Sequence, residues 1–364
     1  MLAILPIFLV AAASAELAPL LLNSEPIPGK YLVKIRDEYN VDKVASDVRI
    51  SGGRVGAIWH HVLHGFAAEL DDRILDVVRS LPAVEYVEED GVYRIQSVRE
   101  DATWGLDRID QLTNTLDTQY SPRGNDGNGW TVWVIDTGVQ QSHPDFNGRA
   151  TQEVGFTLTK KDEDCNGHGT HCAGTVGSTT YGVANKVTIK GVKVLNCIGS
   201  GSTSNIVSGI EYVRDKKVGD NNIASMSLGG GASTSLDNAV KDLIANGVKT
   251  VVAAGNSNED AGNTSPARLE EAITVGATDK TDTRSSFSNF GESLDIFAPG
   301  TDITSTWNDL STKTISGTSM ACPHVAGALT LFEGNSDQMI AAALDNVIAD
   351  PGTGSPNKLL YVGN

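Results

Sequence analysis

From Trp130 onward the chain alternates short, continuous apolar runs with longer helical stretches, and this alternation narrows the possible folds more than any other feature. Trp130-Thr-Val-Trp-Val-Ile-Asp136 is the first run; Val187–Leu195, Ile223–Leu228, Val248–Ala254 and Ile273–Ala277 follow. Thr203–Lys217 and Ser235–Ala245 have helical character and lie between them. A strand that is apolar throughout needs cover on both faces. The pattern therefore predicts an α/β fold, a parallel sheet with helices on both sides. In such sheets functional residues gather where strands end and helices begin. The 364 residues, 40% hydrophobic and 20% charged, suffice for a large core.

The N-terminal part has a different texture. From about Lys30 to Tyr93 the pattern predicts strand, helix, strand, helix, strand. Tyr31-Leu-Val-Lys-Ile35 alternates as a half-buried strand does, and Ile74-Leu-Asp-Val-Val78 with Leu81 fits an amphipathic helix. Pro82 stops that helix and Val84-Glu-Tyr-Val-Glu-Glu89 alternates again, so a small α+β module is expected. Residues 96–103 read as a polar link. The first fifteen residues, MLAILPIFLVAAASA, form an apolar run ending in small residues, which predicts a signal peptide cut after Ala15. That run is too short to span a bilayer as a helix, so an exported, soluble protein with no membrane partner is expected. The net charge of -17 argues against nucleic acid, whose phosphates require clustered Lys and Arg. Four cysteines allow at most two disulfides, so the core carries the fold.

Three motifs carry the chemistry. Asp136 ends an apolar strand in Val134-Ile-Asp-Thr-Gly138, where a carboxylate is costly without a partner. An aspartic protease would need two such carboxylates, and no second Asp-Thr-Gly or Asp-Ser-Gly exists. His168 lies in Asn166-Gly-His-Gly-Thr-His-Cys-Ala-Gly174, where flanking glycines permit close packing around the ring. His168 and His171 could both ligate a metal, but the His-Glu-x-x-His arrangement with its adjacent base is absent. Ser319 lies in Ser316-Gly-Thr-Ser-Met-Ala-Cys-Pro-His-Val-Ala-Gly327, which suits a tight turn into a buried helix of small residues. The helix N-terminus would favour negative charge developing beside Ser319. Taken singly, each residue also fits a blander role: a turn former, a packed core histidine, a helix cap.

Together, and in the order Asp, His, Ser, the motifs resemble the subtilisin-like serine proteases, most closely the proteinase K branch. The resemblance covers nearly everything after the apolar leader. Trp104-Gly-Leu-Asp-Arg-Ile109 resembles the branch's mature N-terminal region, and residues 30–93 resemble the family's ferredoxin-like inhibitory propeptide. It implies a signal peptide over 1–15, a propeptide over 16–96 and a peptidase domain over 97–364, with self-cleavage near Gln96–Ser97. It also implies a secreted, monomeric serine endopeptidase made as a zymogen, with protein and peptide substrates and its own propeptide as inhibitor. Asp136, His168 and Ser319 would be the triad, and Asn256, in Val252-Ala-Ala-Gly-Asn256, the side-chain donor to the oxyanion.

By the same resemblance Gly199, Ser200 and Gly201, with Ser227, Leu228, Gly229 and Gly230, are edges for substrate strands, and Ala253, Ala254 and Gly255 wall the main specificity pocket. These small, uncharged residues imply a broad preference for apolar or aromatic side chains before the cut, not an arginine-directed one. From the residues alone, Asn256 and these segments would equally be turns at strand ends. Cys165 and Cys197 fall where relatives carry a disulfide, which leaves Cys172 and Cys322 free. Asp295 matches a structural calcium ligand, completed by the carbonyls of Glu270 and Ala272; the alternative for this carboxylate is a salt bridge or a cap. No catalytic cofactor is implied. His60, His61 and His64 crowd one stretch of the propeptide, and Asn263-Thr-Ser265 is the one N-glycosylation sequon. A silent binding protein on the same fold is the competing class; intact triad positions and Asn256 weigh against it.

Overall fold

The structure is a computed structural model and describes residues 17–23, 26–91, 98–158 and 162–363. The expected signal peptide and the expected cut at Gln96–Ser97 lie outside the described residues. The chain separates into two compact units, Met1–Gln96 and Ser97–Asn364.

The first unit runs β1 (Leu20–Leu21), β2 (Pro26–Ile35), α1 (Val41–Ile50), β3 (Arg54–Trp59), β4 (Gly65–Glu69), α2 (Asp72–Arg79) and β5 (Val84–Gly91). Its sheet has the order β1-β5-β2-β4-β3. Asn40 and Asp71 cap α1 and α2 by accepting from the backbone N–H groups of Lys43 and Ile74. Val44, Val48, Ile74 and Val78 on these helices pack with Val33, Ile35, Phe66 and Val87 of the sheet. Between the helices stand two strands, not the single one expected from the sequence. The β3–β4 register slips between Val55 and Ile58, and this irregularity destroys the period-two signal. The three histidines sit in and beside the hairpin turn: His60 Nε2 lies 3.1 Å from Asp42 and His64 Nε2 lies 3.0 Å from the carbonyl of Tyr39.

The second unit opens with α3 (Trp104–Ile109) and β6 (Thr131–Asp136), followed by β7 (Ala150–Gly155), α4 (His168–Gly177), β8 (Thr188–Lys193), α5 (Thr203–Lys216) and β9 (Asn222–Met226). Then come β10 (Gly230–Gly231), α6 (Thr234–Ala245), β11 (Lys249–Ala253), β12 (Thr264–Ser265), β13 (Ile273–Thr278), β14 (Ile296–Pro299), the hairpin β15 (Ile303–Thr306) and β16 (Thr312–Ile315), and α7 (Thr318–Leu331). The main sheet has the order β17-β18-β14-β13-β11-β9-β6-β8-β7, where β17 is Leu344–Asp345 and β18 is Lys358–Leu359. From β14 through to β7 every pairing is parallel.

Successive side chains of β6 explain the layers. Val132 and Val134 enter the core formed with α4 and α7, whereas Trp133 and Ile135 enter the core formed with α5 and α6. Every residue of α7 except Ser319 is buried, which is why its sequence is so rich in Ala, Gly and other small residues. The chain leaves β6 for strands on one side of it and returns to β9 on the other. Asp136 therefore ends a strand at the sheet's topological switch, where such folds place their ligands.

Candidate active site

Asp136 is fully buried as the last residue of β6. Its carboxylate accepts from the Thr137 N–H at 2.6 Å and lies 2.8 and 3.0 Å from His168 Nδ1. His168 is the first residue of α4. Gly167 before it has φ +108°, and a side chain there would collide with the Trp307 indole, so only glycine fits. Burial pulls the His168 pKa down, but the Asp136 carboxylate outweighs it, with help from Cys172, and holds it well above the ordinary value. With Nδ1 committed to Asp136, Nε2 is left toward the cleft that His168 and Ser319 both line.

Asp164 holds this arrangement and was not singled out from the sequence. Gly167 offers α4 no side-chain cap, and Asp164 supplies one from three residues earlier. It accepts from the N–H groups of Asn166, Gly167 and Thr170 and from the hydroxyls of Thr137 and Thr170, at 2.6 to 3.0 Å. Thr137 Oγ1 in turn accepts from Gly169 N at 2.8 Å, which ties the start of α4 to the end of β6. Lys193, also fully buried, donates to the carbonyls of Thr137 and Leu195 at 2.6 and 2.9 Å. An acidic residue just ahead of a helix was the available signal for Asp164; nothing in the pattern marked Lys193.

Ser319 is the second residue of α7, and its Oγ donates to the Ser227 carbonyl at 3.3 Å. Pro323 lies four residues on and has no N–H, so the Ser319 carbonyl loses its helical donor. Ser227 Oγ at 2.9 Å and Cys172 Sγ at 3.3 Å take that carbonyl instead. Cys172 Sγ is also 3.9 Å from His168 Nδ1, so the thiol touches both the histidine and the serine turn. Asn256 Oδ1 accepts from the N–H and the hydroxyl of Thr318 at 2.8 and 3.0 Å. An N–H donor demands the oxygen there, so the Asn256 amide nitrogen is turned away from Thr318 and is free to donate. Thr318, another residue not anticipated, also accepts from Gly255 N at 3.1 Å.

Asn256, His168 and Ser319 line an open cleft of about 900 Å³. Gly199, Ser200 and Gly201 line it too, as do Ser227, Leu228, Gly229 and Gly230, with Gly230 paired on its other edge to Ser265. Ala253 and Gly255 line the cleft as well, but Ala254 does not. β11 ends at Ala253; Ala254 is fully buried, and its carbonyl accepts from Asn289 Nδ2 at 3.0 Å, so it backs the wall it was expected to form. Cys165 and Cys197 are joined in a disulfide that links the loop before α4 to the segment carrying Gly199–Gly201, and Cys172 and Cys322 are free and buried.

Asp136, His168 and Cys172 are the one group of three metal-binding side chains within 4.8 Å of one another among the described residues. His171 does not converge with His168, since its Nε2 faces the carbonyls of Ile303 and Lys313 at 3.0 and 3.1 Å. Burial lowers the pKa of His171, and of His324 in α7, to about 4. In the unfolded chain both rings would take protons near pH 6.5, so the native state forfeits stability as pH falls from there toward 4, on the order of 3 kcal/mol per ring. In inhibitor-inactivated protein, wild type should therefore lose more Tm over that range than His324→Gln. Equal pH slopes would contradict the assignment.

A buried carboxylate paired to an imidazole, with a serine hydroxyl on a helix N-terminus in the same cleft, is the equipment of a serine hydrolase. Residues 127–351 match the model of the subtilase family, and residues 34–96 match that of peptidase inhibitor I9. The chain is 46% identical over 378 residues to alkaline serine protease ver112 of Corniculantispora psalliotae, covering 99% of this chain and 98% of that protein. It is 48% identical over 318 residues to proteinase R of Parengyodontium album, covering 86% and 81% respectively. Among solved structures, a cold adapted subtilisin-like serine proteinase superposes with a TM-score of 0.70 at 49% identity, over 73% of this chain and all of the other. The chain belongs to the subtilase family of serine proteases and carries an inhibitor I9 propeptide domain.

Proposed function

We propose that the protein is a secreted endopeptidase made as a zymogen, in which Asp136, His168 and Ser319 cut peptide bonds through an acyl-enzyme. The observation that carries this reading is the bond from His168 Nδ1 to the buried Asp136 carboxylate, which leaves Nε2 on the cleft that Ser319 lines. For reaction the Ser319 side chain turns from the Ser227 carbonyl, which it contacts at 3.3 Å, toward Nε2. The imidazole takes the hydroxyl proton as Oγ adds to the scissile carbonyl, and Asp136 stabilises the cation that forms. The carbonyl oxygen becomes an oxyanion held by the Asn256 amide and the Ser319 N–H, at the positive end of α7. His168 then returns the proton to the leaving amine. Water repeats the sequence on the ester and frees the acid product.

The substrate strand adds alongside Gly199–Gly201 on one side and Ser227–Gly230 on the other. Ala253 and Gly255, small and uncharged, favour an apolar or aromatic side chain before the cut. Every group used comes from one chain, so the reading needs no second copy. Residues 16–96 act as propeptide and first inhibitor, removed by a cut near Gln96–Ser97. No helix among the described residues is long and apolar enough to cross a membrane. Purified protein incubated with a denatured proteome should give internal cuts, mostly after apolar and aromatic residues. Trimming of chain ends alone, or no cleavage, would refute it.

A structural calcium ion fits at Asp295. Burial raises this carboxyl to about 6 against the single N–H of Thr274, which donates at 2.8 Å, and no ion pair reaches it among the described residues. A cation beside such a carboxylate would favour its ionised form. The carbonyls of Glu270 and Ala272, just before β13, would complete an all-oxygen site, in which the ion would serve stability and take no part in catalysis. Chelation of the mature enzyme at pH 8 should lower its Tm by several degrees, with recovery on adding calcium but not on adding sodium. A Tm indifferent to chelator would remove the ion from the account.

A further inference from the structure

The cleft is almost free of charge. Of the residues that line it, His168 and Glu259 alone can carry one, and Glu259 is the single carboxylate. Its place is built. Asn289 Oδ1 accepts from the N–H groups of Ser257 and Glu259 at 3.0 and 3.2 Å, while Asn289 Nδ2 donates to Ala254 and its N–H to Gly255. One asparagine thus fixes Glu259 against the segment that walls the cleft. The Glu259 carbonyl accepts from Phe290 N at 3.1 Å, so the backbone is held on both sides of the residue. The carboxylate itself has no hydrogen bond or ion pair among the described residues. Of the guanidiniums that follow in the chain, Arg268 is paired with Asp237, and Arg284 is engaged with Asn258, Ser288 and Asp350.

We infer that Glu259 is a specificity-determining residue that admits a long cationic side chain, lysine or arginine, into the pocket walled by Ala253 and Gly255. This rests on the reading of that wall as the specificity pocket. The two substrate classes are compatible, because lysine and arginine carry apolar stems. The stem lies on the small, neutral wall as an aliphatic side chain would, and the charged head meets the free carboxylate. An acidic side chain meets the same carboxylate and is rejected.

A carboxylate and an ammonium a few ångströms apart in a wet cleft change relative rates by ~3- to 10-fold. The test uses peptides that differ only in the residue before the cut: lysine against methionine, and glutamate against glutamine. In the wild type, kcat/KM for lysine relative to methionine should exceed that of Glu259→Gln by ~3- to 10-fold, and Glu259→Lys should turn the preference toward glutamate. Both differences should shrink in molar salt. Lysine-to-methionine ratios that agree within about twofold across the three proteins would overturn the inference and leave the protease reading intact, because methionine peptides are still cut. If the wild type cuts none of the peptides, both fall together.

Discussion

Ser319→Ala is expected to abolish peptide hydrolysis and to leave the precursor as one chain. In the proposed mechanism the hydroxyl is made reactive by its surroundings: Nε2 of His168 on the same cleft, the N-terminal end of α7, and a carbonyl pinned by Ser227 and Cys172 because Pro323 cannot bond it. Alanine removes only the oxygen and its 3.3 Å bond to the Ser227 carbonyl, so the fold should persist. The loss in kcat should approach ~10⁶, the size known for subtilisin, a member of the same family. A residual rate above the uncatalysed reaction would remain from the Asn256 donor and substrate binding. The check is twofold: turnover of a chromogenic peptide, and the appearance on a gel of two pieces split near Gln96. A variant that still matures in isolation would locate the nucleophile elsewhere.

Asp136→Asn should cost kcat about 10⁴, the order found for the same replacement in another serine protease, with KM little changed. In the proposed mechanism the carboxylate accepts from Nδ1–H and so keeps Nε2 bare to receive the serine proton. An asparagine amide can present its NH2 group to Nδ1 instead, which places the ring proton on Nε2 and blocks the base. The substitution also removes the negative charge that stabilises the imidazolium. Because Asp136 is fully buried and bonded to Thr137 N, the neutral side chain should sit without unfolding the site. A loss confined to KM would show that Asp136 orients substrate and not the base.

Much of this was legible in the chain because it is written locally. The strand runs of the second unit and helices α5 and α6 fall within a few residues of their expected bounds, since apolar runs between helical stretches have one economical packing. Asp136 at a strand end and Ser319 at a helix start follow from the same short-range pattern. Long-range bonds were not legible. Asp164 meets Thr137 across 27 residues, Thr318 meets Asn256 across 62, and Ser227 meets the Ser319 carbonyl across 92. No periodicity encodes such pairs. The β3–β4 hairpin escaped because its irregular register breaks alternation, and Ala254 was misplaced because a strand's final residue and the next point to opposite faces. Glu259 is one acidic residue among many until the cleft shows it to be the only one there.

The most direct measurement is the position of a covalent tag left by a fluorophosphonate, which reacts only with a serine made nucleophilic by its surroundings. Peptide mapping of the labelled enzyme should find one tag per chain, on Ser319, and none in Asp136→Asn under the same brief exposure. A tag on another serine, or an enzyme that hydrolyses peptides while Ser319 stays unmodified, would contradict the account.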